Sequence, residues 1–307
     1  MSTFDKLFNQ ALIFNYNGRP QKKQKKYSLE SIKNNFLKMK KSLYIMKIGG
    51  SVATYKNRIG FSIRKKLLQK IALNMKTAIK NKKFNLVIIH GAGALGHQIA
   101  KKYNLEKGAG KNPRKWRGCI LSRIANQKLN LSLFEIFAES GIRIIPVHTA
   151  SVITQKNKSL YFFNIDLINK ALSNNCVPLL YGEMVFDDVL GMSICSGDAI
   201  IPYLSKKLSP EKVFFASDVN GIYDRDPYQN KKAKLIEKIS IAQITKIAKF
   251  SNSHNIDVTG GFAGKIKNIQ KMEKKSISSI EIFNGLVPEN YRDILLGKSF
   301  PHTKIKF

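Results

Sequence analysis

The chain has 307 residues, 43% hydrophobic and 24% charged. That composition supports a sizeable core and excludes wholesale disorder, a collagen-like repeat and a disulfide-dense scaffold. Charge is the anomaly: 53 Lys and Arg stand against 20 Asp and Glu, a net charge of +33.

Such a surplus attracts polyanions: nucleic acid, anionic lipid or phosphorylated substrates. A coding bias toward Lys, Asn and Ile would leave the same surplus on solvated faces. No basic-region helix, aromatic RNP-like strand or zinc-finger spacing accompanies it, so nucleic acid is not required as a partner. Cys119, Cys176 and Cys195 are widely spaced and form no CxxC. A reducing, cytoplasmic compartment fits them, and neither a disulfide framework nor a zinc site follows. The five histidines show no HExxH pattern, and no metal-ligand set is expected from the protein itself. No apolar run reaches the ~18–20 residues that a membrane-spanning helix needs.

Residues 1–41 read as a basic extension, with a turn at Asn17-Gly18 and lysines at 22, 23, 25 and 26. A solvated tail is one reading, and its acid-poor composition also fits an organelle transit peptide. The compact domain is expected over 42–307. SLYIMKIGGS reads as a buried strand entering a glycine turn. Residues 62–82 carry Ile63, Leu67, Leu68, Ile71, Ala72 and Met75 at helical spacing. FNLVIIHGAGALGH is a second buried strand entering a second glycine turn. Residues 121–140 form an amphipathic helix ended by Gly141. IRIIPVH is a third strand, and the helix DLINKALSNN leads into VPLLYGEMVFD. KVFFAS is a further strand before DVNGIYDRDP. Residues 241–250 are helical, and SIEIFNG is a late strand. Continuously apolar strands alternating with helices predict a three-layer α/β/α sandwich around a mostly parallel sheet.

Ligands of open α/β sheets sit beyond the carboxyl ends of the strands. At Gly49-Gly50-Ser51 the absent side chains let backbone N–H groups approach a phosphate, and Lys47 adds charge. This is not a Walker A loop, because GxxxxGK[ST] is missing. The frame Gly91, Gly93, Gly96 matches GxGxxG only weakly. The full order is more telling: KIGGS at 47–51, Lys56, HGAGALGH at 90–97, SGD at 196–198, SDVNGIYDRDP at 217–227 and DVTGGFAGK at 257–265. This set resembles the amino acid kinase family, over residues 43 to 285. Within it, the combination is similar to the subgroup that phosphorylates isopentenyl phosphate.

The resemblance implies ATP and Mg2+ as cofactors and isopentenyl phosphate as the acceptor. It also implies an acceptor-binding part over 42–205, a nucleotide-binding part over 206–307, and a homodimer. By position, Lys47, Gly49, Gly50 and Ser51 match the turn that holds the β- and γ-phosphates. Ala92 and Gly93 match the turn where acceptor and transferring phosphate meet. His97 matches the histidine on the acceptor's phosphate, and Gly197 an acceptor-side backbone position. Asp218 and Tyr223 match the nucleotide-side loop, with Gly261 and Lys265 near the ATP phosphates. Lys47, Lys56, His97 and Lys265 are the expected catalytic set. The acceptor oxygen is already anionic, so lysines that neutralise charge matter more than a base. His90, ending a strand, reads as structural. Asp198 reads either as orienting a lysine or as acceptor-side chemistry. Ile124, Leu131 and Phe134 are read as acceptor-tail wall or as core. The pattern departs from the family at Ala94-Leu95, Glu183 and Phe262. The alternatives are a same-fold kinase acting on another phosphate or phosphonate, such as fosfomycin, and a polyanion-binding protein without turnover.

Overall fold

A strand that is apolar on both sides needs cover on both sides, and the central strands receive it. The computed structural model describes residues 41–55, 58, 60–244, 261–273 and 277–307, with only the backbone given at 261–263. The expected extension therefore lies outside the described residues, and Lys41–Phe307 forms one unit.

The strands are β1 (Ser42–Ile48), β2 (Phe84–His90), β3 (Ile144–Pro146), β4 (Ile153–Lys156), β5 (Ser159–Phe163) and β6 (Val177–Tyr181). They continue with β7 (Glu183–Asp187), β8 (Gly191–Cys195), β9 (Lys212–Ser217), β10 (Lys238–Ser240), β11 (Ser279–Asn284) and β12 (Thr303–Lys306). The helices are α1 (Gly50–Ala53), α2 (Lys65–Asn81), α3 (Gly93–Lys102), α4 (Pro113–Glu139), α5 (Thr149–Val152), α6 (Asp166–Ser173), α7 (Gly197–Leu208), α8 (Gly261–Gln270) and α9 (Glu289–Leu296). Eight strands form one sheet in the order β10-β12-β11-β9-β1-β2-β6-β3. Every neighbour pair in it is parallel except β11 with β12.

The period of two along β1 divides the core. Tyr44, Met46 and Ile48 face Leu68, Ile71 and Met75 of α2, Leu129 and Leu133 of α4, and Tyr291 and Ile294 of α9. Ile45 faces the other way, with Val213 and Phe215 of β9, onto Ile168 of α6, Ile200 and Leu204 of α7, and Ile266 and Ile269 of α8. This is the expected three-layer α/β/α sandwich. Lys47 shares the Ile45 side, so its ammonium points toward α7 and α8.

Two elements differ from the sequence reading. The apolar run VPLLYGEMVFD is two strands in two sheets, parted at Gly182. The Gly182 N–H donates to His90 O at 3.1 Å. A side chain there would meet Gly197 N at 2.9 Å. Beyond that break, β7 joins a separate four-stranded sheet, β5-β4-β7-β8. Helix α4 starts eight residues earlier than its apolar periodicity suggests. Asn112 caps it by accepting from Lys115 N at 3.1 Å, with Pro113 in its first turn. Its buried face there is Gly118, Cys119 and Ser122, too small and polar to register as an apolar stripe. The helix read over 241–250 is present at Ile241–Ile244, and its remainder lies outside the described residues.

Asp187 knots the smaller sheet together. One carboxylate oxygen accepts from the backbone N–H of Asn157, Val189 and Leu190, at 2.9, 3.0 and 3.0 Å. The other accepts from Lys158 N at 2.8 Å and Ser193 Oγ at 2.7 Å. Burial pushes this carboxyl up, but the donors outweigh burial and hold it well below its ordinary 3.8. A carboxyl depressed on folding stabilises above its unfolded value, and that stability is lost as pH falls through the folded one. Asp187→Ala leaves up to five donors without their acceptor and should cost about 3 kcal/mol. Urea unfolding at pH 7 checks this through a lower midpoint at unchanged slope. Asp187→Asn should also flatten the loss of stability below pH 4, and an unchanged acid profile would contradict the role.

Candidate active site

The chemistry lies where β1 and β2 end side by side. Ile48 and His90 are register partners, so the turns that follow them emerge together. A Cβ on Gly50 would lie 3.0 Å from Gly93 N, and one on Gly91 would lie 2.9 Å from Gly50 N. Only glycine lets the two main chains approach this closely. Gly93 has φ +69°, and a side chain there would strike Thr54 and Leu129.

The backbone donors of the turns divide into two sets. Gly49 N donates to Ala216 O at 3.0 Å, and Gly91 N donates to Ile48 O at 3.1 Å. These two amides are spent on holding the turns to the strands. The Gly49 amide therefore serves to shape the cradle. The N–H groups of Gly50, Ser51, Ala92 and Gly93 meet no protein acceptor among the described residues. They surround the contact between the turns, and α3 opens at Gly93 with its positive dipole end there. The arrangement suits an anion.

Thr54 ties the turns to each other. Its hydroxyl donates to Gly50 O at 2.8 Å and accepts from Ala94 N at 2.9 Å. At 4% exposure, no water replaces either bond. Sequence reasoning missed this residue, because a threonine three positions beyond a glycine turn carries no signal of its own. His90 supports the second turn from beneath. Burial lowers its pKa to about 4, so the ring is neutral. A carbonyl can only accept, so Nδ1–H donates to Gly91 O, at 2.8 Å. Nε2 then accepts from Asn130 Nδ2 at 3.2 Å. Tyr181 stacks on the ring at 5.3 Å between centroids. The structural reading of His90 holds. Asn126, one turn before Asn130, donates to Gly182 O at 3.2 Å. Two buried asparagines four apart on an otherwise apolar helix face were a legible sign of internal hydrogen bonding.

The cations come from the α7/α8 side. Lys47 Nζ pairs with Asp198 Oδ2 at 2.6 Å, in the first turn of α7. Of the two readings of Asp198, the geometry supports orientation of a lysine. Lys265, on α8, is 8% exposed and lies over the Phe215 ring at 5.5 Å. Burial lowers its pKa to about 8, helped by the Lys47 charge and opposed by Asp198 and Asp218. Lys47, Asp198, Asp218 and Lys265 thus act on one another. His97 lies on the exposed side of α3. Partial desolvation and the Lys47 charge push its pKa below the ordinary imidazole value.

The other expected residues fall as follows. Gly197 opens α7 over the end of β2, where a Cβ would meet His90 O at 3.1 Å. Ser51 lies in α1, and Ala92 caps α3. Asp218 follows β9, and its carbonyl accepts from Tyr228 Oη at 3.3 Å. Tyr223 bridges to Leu235 within the loop. Gly261 starts the α8 backbone. Lys56 and residues 257–260 lie outside the described residues. Ile124 and Leu131 are 44% and 54% exposed, so they form neither core nor an enclosed wall. Phe134 packs partly buried against the α2/α4/α9 core. Glu183 is buried. It accepts from Ala150 N at 3.0 Å and lies 3.4 Å from Arg123 Nε.

Sheet-end glycine turns facing buried lysines agree with the comparison to known sequences. The chain belongs to the amino acid kinase family, whose model matches residues 42–284. It is 33% identical to a Methanocaldococcus jannaschii protein named isopentenyl phosphate kinase, over 83% of this chain and 96% of that one. A Methanothermobacter thermautotrophicus protein of the same name is 32% identical, over 86% and 98%. A solved structure described as "X-ray structures of isopentenyl phosphate kinase" superposes with a TM-score of 0.73 at 29% identity. It covers 86% of this chain and 100% of that one.

Thr54→Val keeps the shape and removes the link between the turns. Two buried partners lose their hydrogen bonds, at about 1–3 kcal/mol for such a group. We expect kcat/KM for phosphoryl transfer to fall at least 10-fold with the fold retained. Steady-state kinetics beside circular dichroism checks this, and wild-type kinetics would exclude the linking role.

Proposed function

We propose that the protein transfers the γ-phosphoryl group of ATP to isopentenyl phosphate, forming isopentenyl diphosphate for isoprenoid biosynthesis. One observation carries this reading. A cradle of backbone donors with no protein acceptor among the described residues lies between the glycine turns, one helical turn before His97, in a chain that aligns with nearly the full length of relatives bearing that enzyme's name. In this reading, Gly50, Ser51, Ala92 and Gly93 hold phosphate oxygens through their amides. Lys47 and Lys265 neutralise the charge shared between donor and acceptor. His97 and the Gly197 backbone hold the acceptor's phosphate.

The acceptor oxygen is already anionic. Its bond to the γ-phosphorus forms as the β,γ-bridging bond breaks, and ADP leaves with the electron pair. No proton moves, and no base is needed. This suits His97, whose environment disfavours the cation until a phosphate arrives. A magnesium ion carried by the nucleotide would supply further neutralisation of phosphate charge. Among the described residues, no group of three metal-ligating side chains is poised to hold a resident ion. Among the described residues Asp198 Oδ1 is buried without a hydrogen-bond partner, and this carboxylate would help to hold the nucleotide's ion.

Residues 42–205 then form the acceptor part and 206–307 the nucleotide part. A homodimer completes the reading. Ile120, Ile124 and Leu131 are exposed along one face of α4, and a second copy would cover them. No described helix is long and apolar enough to cross a membrane.

An acceptor panel with Mg·ATP tests the substrate. Isopentenyl phosphate should exceed UMP, fosfomycin and isopentenol in kcat/KM. Isopentenol should trail by at least ~100-fold, because the phosphate donors go unmatched. His97→Ala should lower kcat/KM for isopentenyl phosphate while ATP affinity by calorimetry changes little. A higher value for UMP or fosfomycin refutes the acceptor and leaves the kinase assignment standing. Lys265 gives a separate prediction. Its pKa near 8 means the free site loses this cation as pH rises through 8, and bound phosphate would restore it. ATP binding at pH 8 should therefore take up protons, visible as a dependence of calorimetric heat on buffer ionisation enthalpy. Lys265→Arg should remove that uptake. Buffer-independent heats in the wild type would contradict the role.

A further inference from the structure

A second cationic site lies on the opposite face of the sheet. The register places Lys238 of β10, Lys304 of β12 and Glu281 of β11 side by side in one row. Along β9, Lys212 alternates with Val213, so it lies on the Phe214 side. That is the α2/α4/α9 face, whereas Lys265 serves the α7/α8 face. Lys212 opens β9 and Ser217 closes it, so the length of that strand also separates this row from the transfer site. The segment from Gly297 to His302, after α9, closes over the row. A cavity of about 460 Å³ remains, lined by Lys212, Lys238, Lys298, Lys304, His302, Glu237 and Glu281 among others. That volume is in the range of small-ligand pockets.

The charge inside does not balance. Glu281, 4% exposed, is the one buried carboxylate of the lining. Lys212 lies 3.3 Å from it, His302 3.5 Å and Lys304 3.9 Å, and Ser279 Oγ donates at 2.6 Å. Burial pushes Glu281 up, yet these partners hold its pKa at about 2, so it stays ionised. Its hydrogen bond raises His302 in turn. Glu281 is therefore satisfied before Lys238 and Lys298 are counted. Lys298 has only Asp293, at 4.0 Å, and Lys238 has no carboxylate in ion-pair range among the described residues. Four lysines against two glutamates leave the lining at +2, and a protonated His302 adds to that. Lys212 and His302 are largely buried beside Glu281, and Lys238, Lys298 and Lys304 add like charge at the rim of the concavity, a repulsion that an anion would relieve.

We infer that this cavity is a second anion-binding site, separate from the phosphoryl-transfer centre, that takes a compact ligand carrying at least two negative charges, of the di- or polyphosphate class. Lys238 at its mouth has no carboxylate in ion-pair range among the described residues, and Lys298, 4.0 Å from Asp293, adds to its charge. Lys212, Lys304 and His302 are held in place from below by Glu281. The inference stands on this cavity alone and does not depend on the identity of the acceptor.

Inorganic pyrophosphate is the probe. It is titrated by calorimetry into the full chain in magnesium-free buffer, with excess ADP occupying the nucleotide site. One saturable event should remain and weaken with added KCl, as ionic recognition requires. Lys238→Gln/Lys298→Gln should weaken it at least 10-fold. These side chains do not engage Glu281, so the fold should persist. Lys65→Gln/Lys66→Gln removes the same net charge from the exposed start of α2 and should leave the affinity unchanged. No residual binding under ADP would overturn the inference. So would equal affinity in the first variant, or equal weakening in the control, which would mean a response to overall charge alone.

Discussion

The site depends on the contact between two main chains. Gly50 and Gly91 bring their turns within a distance that a single methyl group would break. The amides proposed to meet phosphate hang from that contact: those without a protein acceptor among the described residues, the start of α3, and the space between them. The contact is not strong in itself. It is held by hydrogen bonds made elsewhere, from Gly49 to Ala216, from Gly91 to Ile48, and through the Thr54 hydroxyl. Donors fixed before the ligand arrives need no reorganisation when charge shifts, which is how such a site stabilises a transition state.

The neighbouring sheet face supplies charge without disturbing that geometry. A lysine among apolar residues on a buried strand would be costly alone. Lys47 is tolerated because α7 presents Asp198 at 2.6 Å. Lys265 is tolerated at the expense of a lowered pKa. The two cations repel each other, and a polyphosphate between them would relieve that repulsion. Repulsion between the two cations would thus favour binding of a polyanion.

The same logic explains part of the net charge of +33. Most of the lysines among the described residues are exposed, where ion pairs contribute little. A minority gather in concave places, and there the sum has consequences. The smaller sheet works by different means. Asp187 organises two hairpin turns through hydrogen bonds alone and carries Met184 and Met192 to the edge of α4.

Much was legible in the chain itself. The strand SLYIMKI begins the core at Ser42, and continuously apolar strands between amphipathic helices specified three layers. Residue spacing alone set the alternation that sends Lys47 to one face and Met46 to the other. The glycine turns were visible because glycine pairs at strand ends have few other uses. The remainder depended on residues far apart in sequence. Nothing local to Thr54 announces that its hydroxyl will meet Ala94, and nothing in VPLLYGEMVFD announces two sheets. That break exists because Gly182 must admit the backbone of Gly197 and bond to His90. The apolar count of α4 could not say which face turns inward, and Ile124 and Leu131 point out while Asn126 and Asn130 point in. The anion cavity is likewise tertiary. Lys212, Lys238, Lys298 and Lys304 are four lysines among many in sequence, and only strand register and the Gly297–His302 segment gather them. Local pattern determines which element forms and which side is apolar. Partners for buried polar groups come from wherever the fold brings them, so that part of the chemistry was decided by tertiary structure alone.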